Sequence, residues 1–341
     1  MAIEFKKVVE HSMFSAKTNL KEEVLPIEFR TDPLTGDMGI VLESRWQRLK
    51  KPDLSQLIAK SLERECPFCP EAIDRITPQF PAEFLPEGRI KVGEAVVFPN
   101  ALPYMSHSAV TVLSRQHFVD LPQFTEDMLV NGFLASQIYL REVQKYDPEA
   151  KYCLVNCNYM PYAGSSQIHP HFQVLAGHFP LKYHKELLEA SQRYYIKNGI
   201  NYWLDFIAKE KELNERYIGT VGDTVWFTSF VPRSWQFDVL AIFQGKESFT
   251  ALSQRDIEDL CQGLKKTFGY MSDQNFYSFN LCLYSGILGK DYFWTQVRLI
   301  QRGTYPPLGV SDCSSVRLLF DTMVVLRRPE LVCQELKAYF G

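Results

Sequence analysis

The sequence has no long apolar run and little net charge. No stretch of its 341 residues approaches the roughly 18 consecutive apolar residues of a membrane-spanning helix. The N-terminus lacks a signal-peptide pattern. The formal net charge of −3 gives no global electrostatic basis for binding nucleic acid. These absences predict a cytoplasmic protein that binds neither nucleic acid nor a membrane.

Cysteine is too sparse for a disulfide scaffold, because a chain of this length has only 8. Cys66 and Cys69 nevertheless form a Cys-x-x-Cys pair within the proline-rich segment 65–88, which we predict to be an irregular loop. Two thiolates at this spacing can share one zinc tetrahedron, although redox pairs have the same spacing. His117, which is otherwise a surface histidine, and His169 are candidates for the other two ligands. The sequence therefore predicts one Cys₂His₂ zinc site.

Histidine is absent after residue 184, so any histidine chemistry lies in the first half. The densest pattern is the segment 164–173, Gly-Ser-Ser-Gln-Ile-His-Pro-His-Phe-Gln. If this segment is extended, its period of two puts His169, His171 and Gln173 on one face. Such a cluster can bind a metal ion, attack phosphorus or do both. The alternative is a polar strand with two hydrogen-bonded histidines.

A pattern of strands around one helix occurs twice, roughly 125 residues apart, which is the spacing of domain-sized repeats. The second copy has Gln296 and Arg298 on its final strand and no histidine there. We therefore predict an α+β fold with largely antiparallel sheets, made of a working domain at 1–180 and a degenerate domain at 181–341. The elements predicted for the first copy are strands at 95–99, 108–113, 152–158 and 168–176 and a helix at 125–146.

The segment His169-Pro170-His171-Phe172-Gln173 resembles the His-Pro-His-x-Gln signature of the galactose-1-phosphate uridylyltransferase branch of the histidine triad superfamily. Segment 30–36, with Arg45 and Arg48, is similar to the family's N-terminal Asn-Pro-Leu-Thr-Gly segment and its arginine pair. Other matches follow in the family's order: Cys66, Cys69, Phe98-Pro99-Asn100, His117, Asn158 and Gly164-Ser165-Ser166.

The resemblance covers residues 30–177 well and the second half as a degenerate copy. It implies two tandem histidine-triad-like repeats, with mainly antiparallel sheets flanked by helices. It also implies a double displacement in which His171 attacks the α-phosphorus of a nucleotide sugar and releases a sugar 1-phosphate. A phosphorylated acceptor then takes the nucleotidyl group from His171. A UDP-hexose is the favoured donor, and an ADP-sugar is possible.

The resemblance also assigns the remaining site residues. Gln173 is expected to donate to the nonbridging phosphate oxygens as charge builds there. Phe98 and Asn100 are expected to line the nucleoside pocket, and Asn158 to bond a phosphate or the nucleophilic imidazole. Donors to phosphate are also expected from Gly164, Ser165 and Ser166.

The arginine pair carries an expectation about assembly. Arg45 and Arg48 are expected to meet phosphate, which suits their forked donors. In the family this pair can reach across a dimer interface, so the resemblance implies a homodimer. Two solvated arginines in a basic run are the alternative.

Two departures from the family limit the assignment. The family's second metal site is built from second-half histidines, which this sequence lacks, so we predict a single structural zinc site. The family's Lys and Tyr-Glu pair, which touch the hexose, are missing from the matching run at 316–324. Two alternatives therefore stay open. One is a phosphorylase that splits ADP-glucose or a diadenosine polyphosphate with orthophosphate as acceptor; the other is a non-catalytic, zinc-scaffolded nucleotide-binding protein.

Overall fold

The structure is a computed structural model of the chain. It describes residues 3–12, 25–42, 48, 50–305 and 309–341. Among the helices of these segments, none combines the length and apolar character needed to cross a membrane.

One antiparallel sheet of ten strands runs through both halves of the protein. Its strands, in spatial order, are β4 (Ile90–Val92), β5 (Ala95–Pro99), β6 (His107–Val112), β8 (His171–Gly177), β7 (Tyr152–Tyr159), β12 (Phe279–Tyr284), β13 (Gln296–Gln301), β11 (Asp238–Phe243), β10 (Thr224–Thr228) and β9 (Tyr217–Val221).

The remaining strands form two smaller sheets. The four-stranded sheet consists of β1 (Lys6–His11), β2 (Pro26–Thr31), β3 (Met38–Val41) and β16 (Met323–Val325), and β16 runs parallel to β3. The third sheet pairs β14 (Thr304–Tyr305) with β15 (Val310–Ser311). The helices are α1 (Ser55–Ser61), α2 (Pro70–Ile76), α3 (Glu126–Tyr146), α4 (Lys182–Asn198), α5 (Tyr202–Leu213), α6 (Gln254–Asp273), α7 (Ser315–Phe320) and α8 (Pro329–Phe340).

The two halves of the large sheet have the same internal order. The first half reads β5-β6-β8-β7, and the second half reads β10-β11-β13-β12, with β7 and β12 paired at the centre. Helices α3 and α6 hold the same place in the two sequences, between the second and third strands. The predicted α+β fold with two tandem repeats and mainly antiparallel sheets is therefore confirmed. The boundary at residues 180 and 181 stays a prediction, because β7 and β12 join the halves into one sheet.

Side-chain alternation gives the large sheet one covered face and one partly open face. Phe172 on β8 points to the covered face, where its ring centroid lies 4.7 Å from that of Phe133 on α3. His171 and Gln173 alternate with Phe172 and therefore point to the opposite face. On that opposite face, α4 and α5 pack over the β10 and β11 side chains of the second half. On the same face, the region around β8 at the centre of the sheet carries polar side chains, including His171 and Gln173.

Local signals explain where several elements begin and end. Thr125 caps α3, as predicted, by accepting a hydrogen bond from the Met128 N–H. The predicted strand at 168–176 begins only at His171, because Pro170 lacks a backbone donor. The prediction of an irregular loop at 65–88 was wrong in part. Helix α2 begins there with Pro70 in its first turn, where proline is favoured.

The buried His184 on α4 predicts acid destabilisation. Burial lowers the pKa of His184 from 6.5 to about 4, and its Nε2 lies 2.7 Å from the Ser285 carbonyl oxygen. The unfolded chain therefore takes up this proton at higher pH than the folded protein. We expect the free energy of unfolding to fall by up to about 3 kcal/mol as the pH falls from about 6.5 to about 4.

Urea denaturation of wild type and His184→Gln at several pH values in this window measures the contribution. The glutamine amide can still donate to the carbonyl but does not titrate. Its stability should fall less steeply than that of wild type as the pH is lowered. Equal slopes for the two proteins would contradict the assignment.

Candidate functional site

The centre of the site is His171, the first residue of β8. Its Nδ1 lies 2.8 Å from the carbonyl oxygen of His169, so Nδ1 carries the proton and donates it to that oxygen. The Nε2 atom of a neutral ring then keeps its lone pair. Burial lowers the pKa of His171 and favours this neutral form. The structure thus holds an oriented imidazole with one unprotonated nitrogen.

Gln173 is oriented by Asn156, a residue for which the sequence predicted no role. The Asn156 side-chain amide on β7 donates to Gln173 Oε1 at 2.9 Å, and the two residues are directly paired across the strands. Because the Gln173 oxygen is used in this contact, its Nε2 group is the part left to donate to a ligand. Asn156 lies two residues before Asn158, but its pairing with Gln173 depends on strand register, which the sequence does not reveal.

Cys66, Cys69, His117 and His169 come together as one cluster, with their ligand atoms all within 4.8 Å of one another. The Cys69 sulfur lies 3.3 Å from His117 Nδ1 and 3.7 Å from His169 Nδ1. In a tetrahedral zinc site, bonds of about 2.3 Å to sulfur and 2.0–2.1 Å to nitrogen separate such atoms by about 3.6 Å. The four residues therefore fit a tetrahedral metal ion in both donor type and spacing.

Hydrogen bonds outside the cluster orient both imidazoles. His169 Nε2 lies 2.7 Å from the Ser114 carbonyl oxygen, and His117 Nε2 lies 2.9 Å from the Ser61 hydroxyl. Each contact turns Nδ1 toward the cysteines, as outer contacts do for metal-bound histidines. Burial lowers the pKa of His169 to about 4, which keeps the ring neutral and ready to bind a metal. Burial, with Cys66 beside it, raises the pKa of the Cys69 thiol to about 12.

Phe68 links the metal cluster to His171. It lies between the two cysteines in sequence, and its ring centroid is 5.1 Å from that of His171 and 6.1 Å from that of His169. Phe68 also lines a cavity of about 260 Å³ together with Val112, the cross-strand neighbour of His171. This role of Phe68 was not predicted, although its position inside Cys-x-x-Cys was the available signal.

The predicted nucleoside residues lie on β5 and just after it. Phe98 is 2% exposed, and its ring centroid lies 5.7 Å from that of Phe68. Phe98 therefore supports Phe68 from within the sheet. The Asn100 side chain accepts from the Leu102 N–H at 3.1 Å and lies 3.4 Å from the Ser108 hydroxyl.

The predicted phosphate loop is a tight turn between β7 and β8. Met160 and Gly164 both have positive φ, 72° and 87°, and for a buried methionine this conformation is strained. The Ser165 hydroxyl donates to the Gln167 carbonyl at 2.6 Å, so it is already used within the turn. Ser166 is exposed and has the hydroxyl that remains for a ligand.

The two predicted arginines are placed differently. Arg45 lies outside the described residues. Arg48 is exposed and donates to the backbone oxygen of Asp273, at the end of α6. Their predicted contact with phosphate stays a prediction.

The matching positions in the second repeat are covered. Arg298 on β13 corresponds to Gln173 on β8. Each lies on a strand between two partners, β11 and β12 for Arg298 and β6 and β7 for Gln173. The Arg298 guanidinium contacts Asp238 at 2.7 Å and donates to the Tyr183 hydroxyl of α4 at 2.7 Å. Gln296 holds the place of His171 and is 2% exposed. This half of the sheet therefore presents packed, ion-paired residues where the first half presents histidine.

Comparison with known proteins supports the same fold. No family model matches the chain. An uncharacterized protein of Archaeoglobus fulgidus is 29% identical over 337 residues, which is 98% of both chains. A GalT-like protein from Arabidopsis thaliana superposes with a TM-score of 0.69 at 17% identity, covering 91% of this chain and 98% of that one.

Two further solved structures share the fold. An ADP-glucose phosphorylase from Arabidopsis thaliana with bound ADP-glucose has a TM-score of 0.70 at 16% identity, covering 91% of this chain and 98% of that one. A uridylyltransferase has a TM-score of 0.67 at 21% identity, covering 92% of this chain and 98% of that one. The fold implied by the His-Pro-His-x-Gln signature is therefore confirmed.

Proposed function

We propose that this protein transfers a nucleoside monophosphate from a nucleotide sugar to a sugar 1-phosphate, by way of a covalent nucleotidyl-histidine on His171. The observation that carries the proposal is the 2.8 Å bond between His171 Nδ1 and the His169 carbonyl oxygen. This bond selects the tautomer in which Nε2 is free to attack. It also gives the carbonyl a role in stabilising the positive charge that develops on the ring.

In the first step, His171 Nε2 attacks the α-phosphorus and the bond from that phosphorus to the bridging oxygen breaks. The electron pair leaves with that oxygen, and a sugar 1-phosphate departs. In the second step, a phosphate oxygen of the acceptor attacks the same phosphorus, and the phosphorus–nitrogen bond breaks to return a neutral imidazole. Groups that donate hydrogen bonds to the nonbridging oxygens stabilise both transition states. The Gln173 amide, oriented by Asn156, is the proposed donor.

We propose zinc at the cluster of Cys66, Cys69, His117 and His169, because two thiolates and two imidazoles are typical of closed structural zinc sites. When bound there, the metal supplies a structural cross-link. The cluster joins the segment that carries Phe68 to His169, whose carbonyl holds His171. Its protein ligands thus position the imidazole.

The proposal extends to the organisation of the chain. We propose a catalytic domain at 1–180, a degenerate domain at 181–341, and a homodimer in the cytoplasm with nucleotides and sugar phosphates as its partners. The resemblance and the covered second-half positions support the division into domains. The resemblance alone supports the dimer and the partners, and the location in the cytoplasm rests on the sequence pattern. Sedimentation velocity at micromolar protein concentration tests the dimer, and a single monomeric species would contradict it.

A second candidate is a phosphorylase that uses the same histidine with orthophosphate as acceptor. The C-terminal segment favours it. Arg317 is bound to Asp312 at 2.6 Å, and Leu318, Leu319 and Phe320 are 67–77% exposed. In the described part of this segment, apolar side chains therefore replace the polar groups that would touch a hexose.

Isotope exchange tests the proposal and separates the candidates. Labelled glucose 1-phosphate should enter UDP-glucose or ADP-glucose without any second acceptor, because the first step is reversible and covalent. The donor that exchanges identifies the base. Release of nucleoside diphosphate on adding orthophosphate would select the phosphorylase. If exchange between the nucleotide sugar and labelled glucose 1-phosphate occurred only when an acceptor was also added, the covalent route would be contradicted.

Replacing Gln173 should slow the chemical steps. We expect Gln173→Ala to reduce the rate of nucleotidyl-histidine formation by about 10²- to 10³-fold, as loss of one donor to a developing charge does elsewhere. Rapid-quench measurement of adduct formation gives this rate directly. Asn156→Ala removes only the hydrogen bond that orients the Gln173 amide, so it should reduce this rate less than Gln173→Ala does. An unchanged rate in Gln173→Ala would exclude this donor.

A further inference from the structure

The second repeat contributes a residue to the site through Asn280 on β12. Its Nδ2 donates to Asn158 Oδ1 at 2.7 Å and to the Ala163 carbonyl oxygen at 2.9 Å. The first acceptor is the side chain of Asn158, which the sequence predicts to bond a phosphate or the nucleophilic imidazole. The second acceptor lies in the turn at 161–166, which carries the predicted phosphate donors Gly164, Ser165 and Ser166. One amide from the degenerate half therefore holds both the side chain and the turn.

The orientation of the Asn280 amide follows from its third contact. Arg302 donates from one guanidinium nitrogen to Asn280 Oδ1 at 2.7 Å. Arginine has only donors, so the atom facing it must be oxygen and the nitrogen must face Asn158 and Ala163. Asp312, which is 3% exposed, in turn accepts from Arg302 at 2.9 Å. Arg302 therefore donates to an oxygen on each side, the Asp312 carboxylate and Asn280 Oδ1.

The orientation of the Asn280 amide determines what Asn158 presents to a ligand. Because Asn158 Oδ1 accepts from Asn280, its own Nδ2 group is the part left to donate. A phosphate oxygen can only accept from it. If the Asn158 amide turned over, its oxygen would meet the phosphate and repel it.

We propose that Asn280 is a positioning residue, which turns the Asn158 amide and anchors the 161–166 turn so that both donate to the phosphate of the bound nucleotide. Arg302 fixes Asn280 in this role. The inference rests on the proposed function. Through Asn280, the second repeat, which has no histidine on its final strand, takes part in the reaction.

Asn280→Asp is the sharpest test, because its shape and its contact with Arg302 are kept. Both donors are lost, and the new carboxylate opposes two oxygens. We expect the rate of nucleotidyl-histidine formation to fall about 100-fold, close to the effect of Asn158→Ala. In Asn158→Ala/Asn280→Asp the second change should cost well under its roughly 100-fold effect in wild type, about 10-fold or less, because its action through Asn158 is already lost and only its hold on the turn remains.

Asn201→Ala serves as the control. Asn201 caps α5 by accepting from the Trp203 N–H, so its loss lowers stability without touching the contacts of Asn280. A rate near wild type is expected for it. Multiplicative effects of the Asn158 and Asn280 changes, or an Asn280→Asp rate near wild type, would overturn the inference.

Binding of UMP and AMP by calorimetry, on the same proteins, separates this inference from the proposed function. If wild type forms no adduct, the proposed function fails, but the inference still requires non-additive losses of nucleotide affinity in the two single variants and the double variant. Additive losses, or none, would overturn the inference as well.

Discussion

His171→Ala should lose about 10⁴-fold or more of the turnover rate while the protein keeps its fold. Removal of a covalent nucleophile leaves only binding and charge stabilisation, and losses of this size are typical. Steady-state turnover with the donor identified by isotope exchange measures the loss. His178→Ala is a matched control, because His178 is exposed and contacts Asp147 at the far end of β8.

Circular dichroism and thermal unfolding of the two variants check that both are folded. Turnover by folded His171→Ala within about tenfold of wild type would remove His171 from the reaction. Loss of turnover in His178→Ala to the same degree would show that the effect is not specific to the site.

Loss of the metal should destabilise the protein by several kcal/mol and lower its melting temperature by about 10 °C. A metal site that exists only in the folded chain contributes its binding free energy to folding. Cys66 is 7% exposed and its thiol lies 3.7 Å from His169 Nδ1, so Cys66→Ser removes a ligand from inside the cluster. We expect about one metal ion per wild-type chain and far less in this variant.

Inductively coupled plasma mass spectrometry gives the metal identity and content, and differential scanning fluorimetry gives the melting temperature. Cys313→Ser is the control, because Cys313 is the exposed cysteine among those the structure describes. It should keep both the metal and the melting temperature. A metal-free wild type after expression with added zinc, or Cys66→Ser with full metal content, would contradict the zinc site.

Local patterns were enough to predict the parts of the site that lie close in sequence. Cys66-x-x-Cys69 and His169-x-His171 each fall within a few residues, and their chemistry depends on residue type more than on distant packing. The repeat was visible because β-strand patterns and the capped helix α3 recur at a fixed spacing. The shared face of His171 and Gln173 followed from alternation in the strand.

Contacts between distant segments could not be predicted in the same way. The Asn158–Asn280 bond joins residues 122 positions apart, and it exists only because β7 pairs with β12 in one register. The pairing of Asn156 with Gln173 has the same origin. The start of β8 at His171 instead of residue 168 was missed because alternation alone describes an uninterrupted strand. Pro170 removes the backbone donor that such a strand needs.

Intact-protein mass spectrometry after incubation with UDP-glucose, ADP-glucose or diadenosine tetraphosphate tests the central claim most directly. The account predicts that wild type gains the mass of one UMP or one AMP and that His171→Ala gains neither. Quenching within milliseconds in alkaline denaturant covers the case of rapid hydrolysis, because the phosphorus–nitrogen bond of a nucleotidyl-histidine is labile in acid and stable in base. A metal-loaded, folded wild type that acquires no adduct from any of the three donors would contradict the covalent mechanism and favour a nucleotide-binding protein without catalysis.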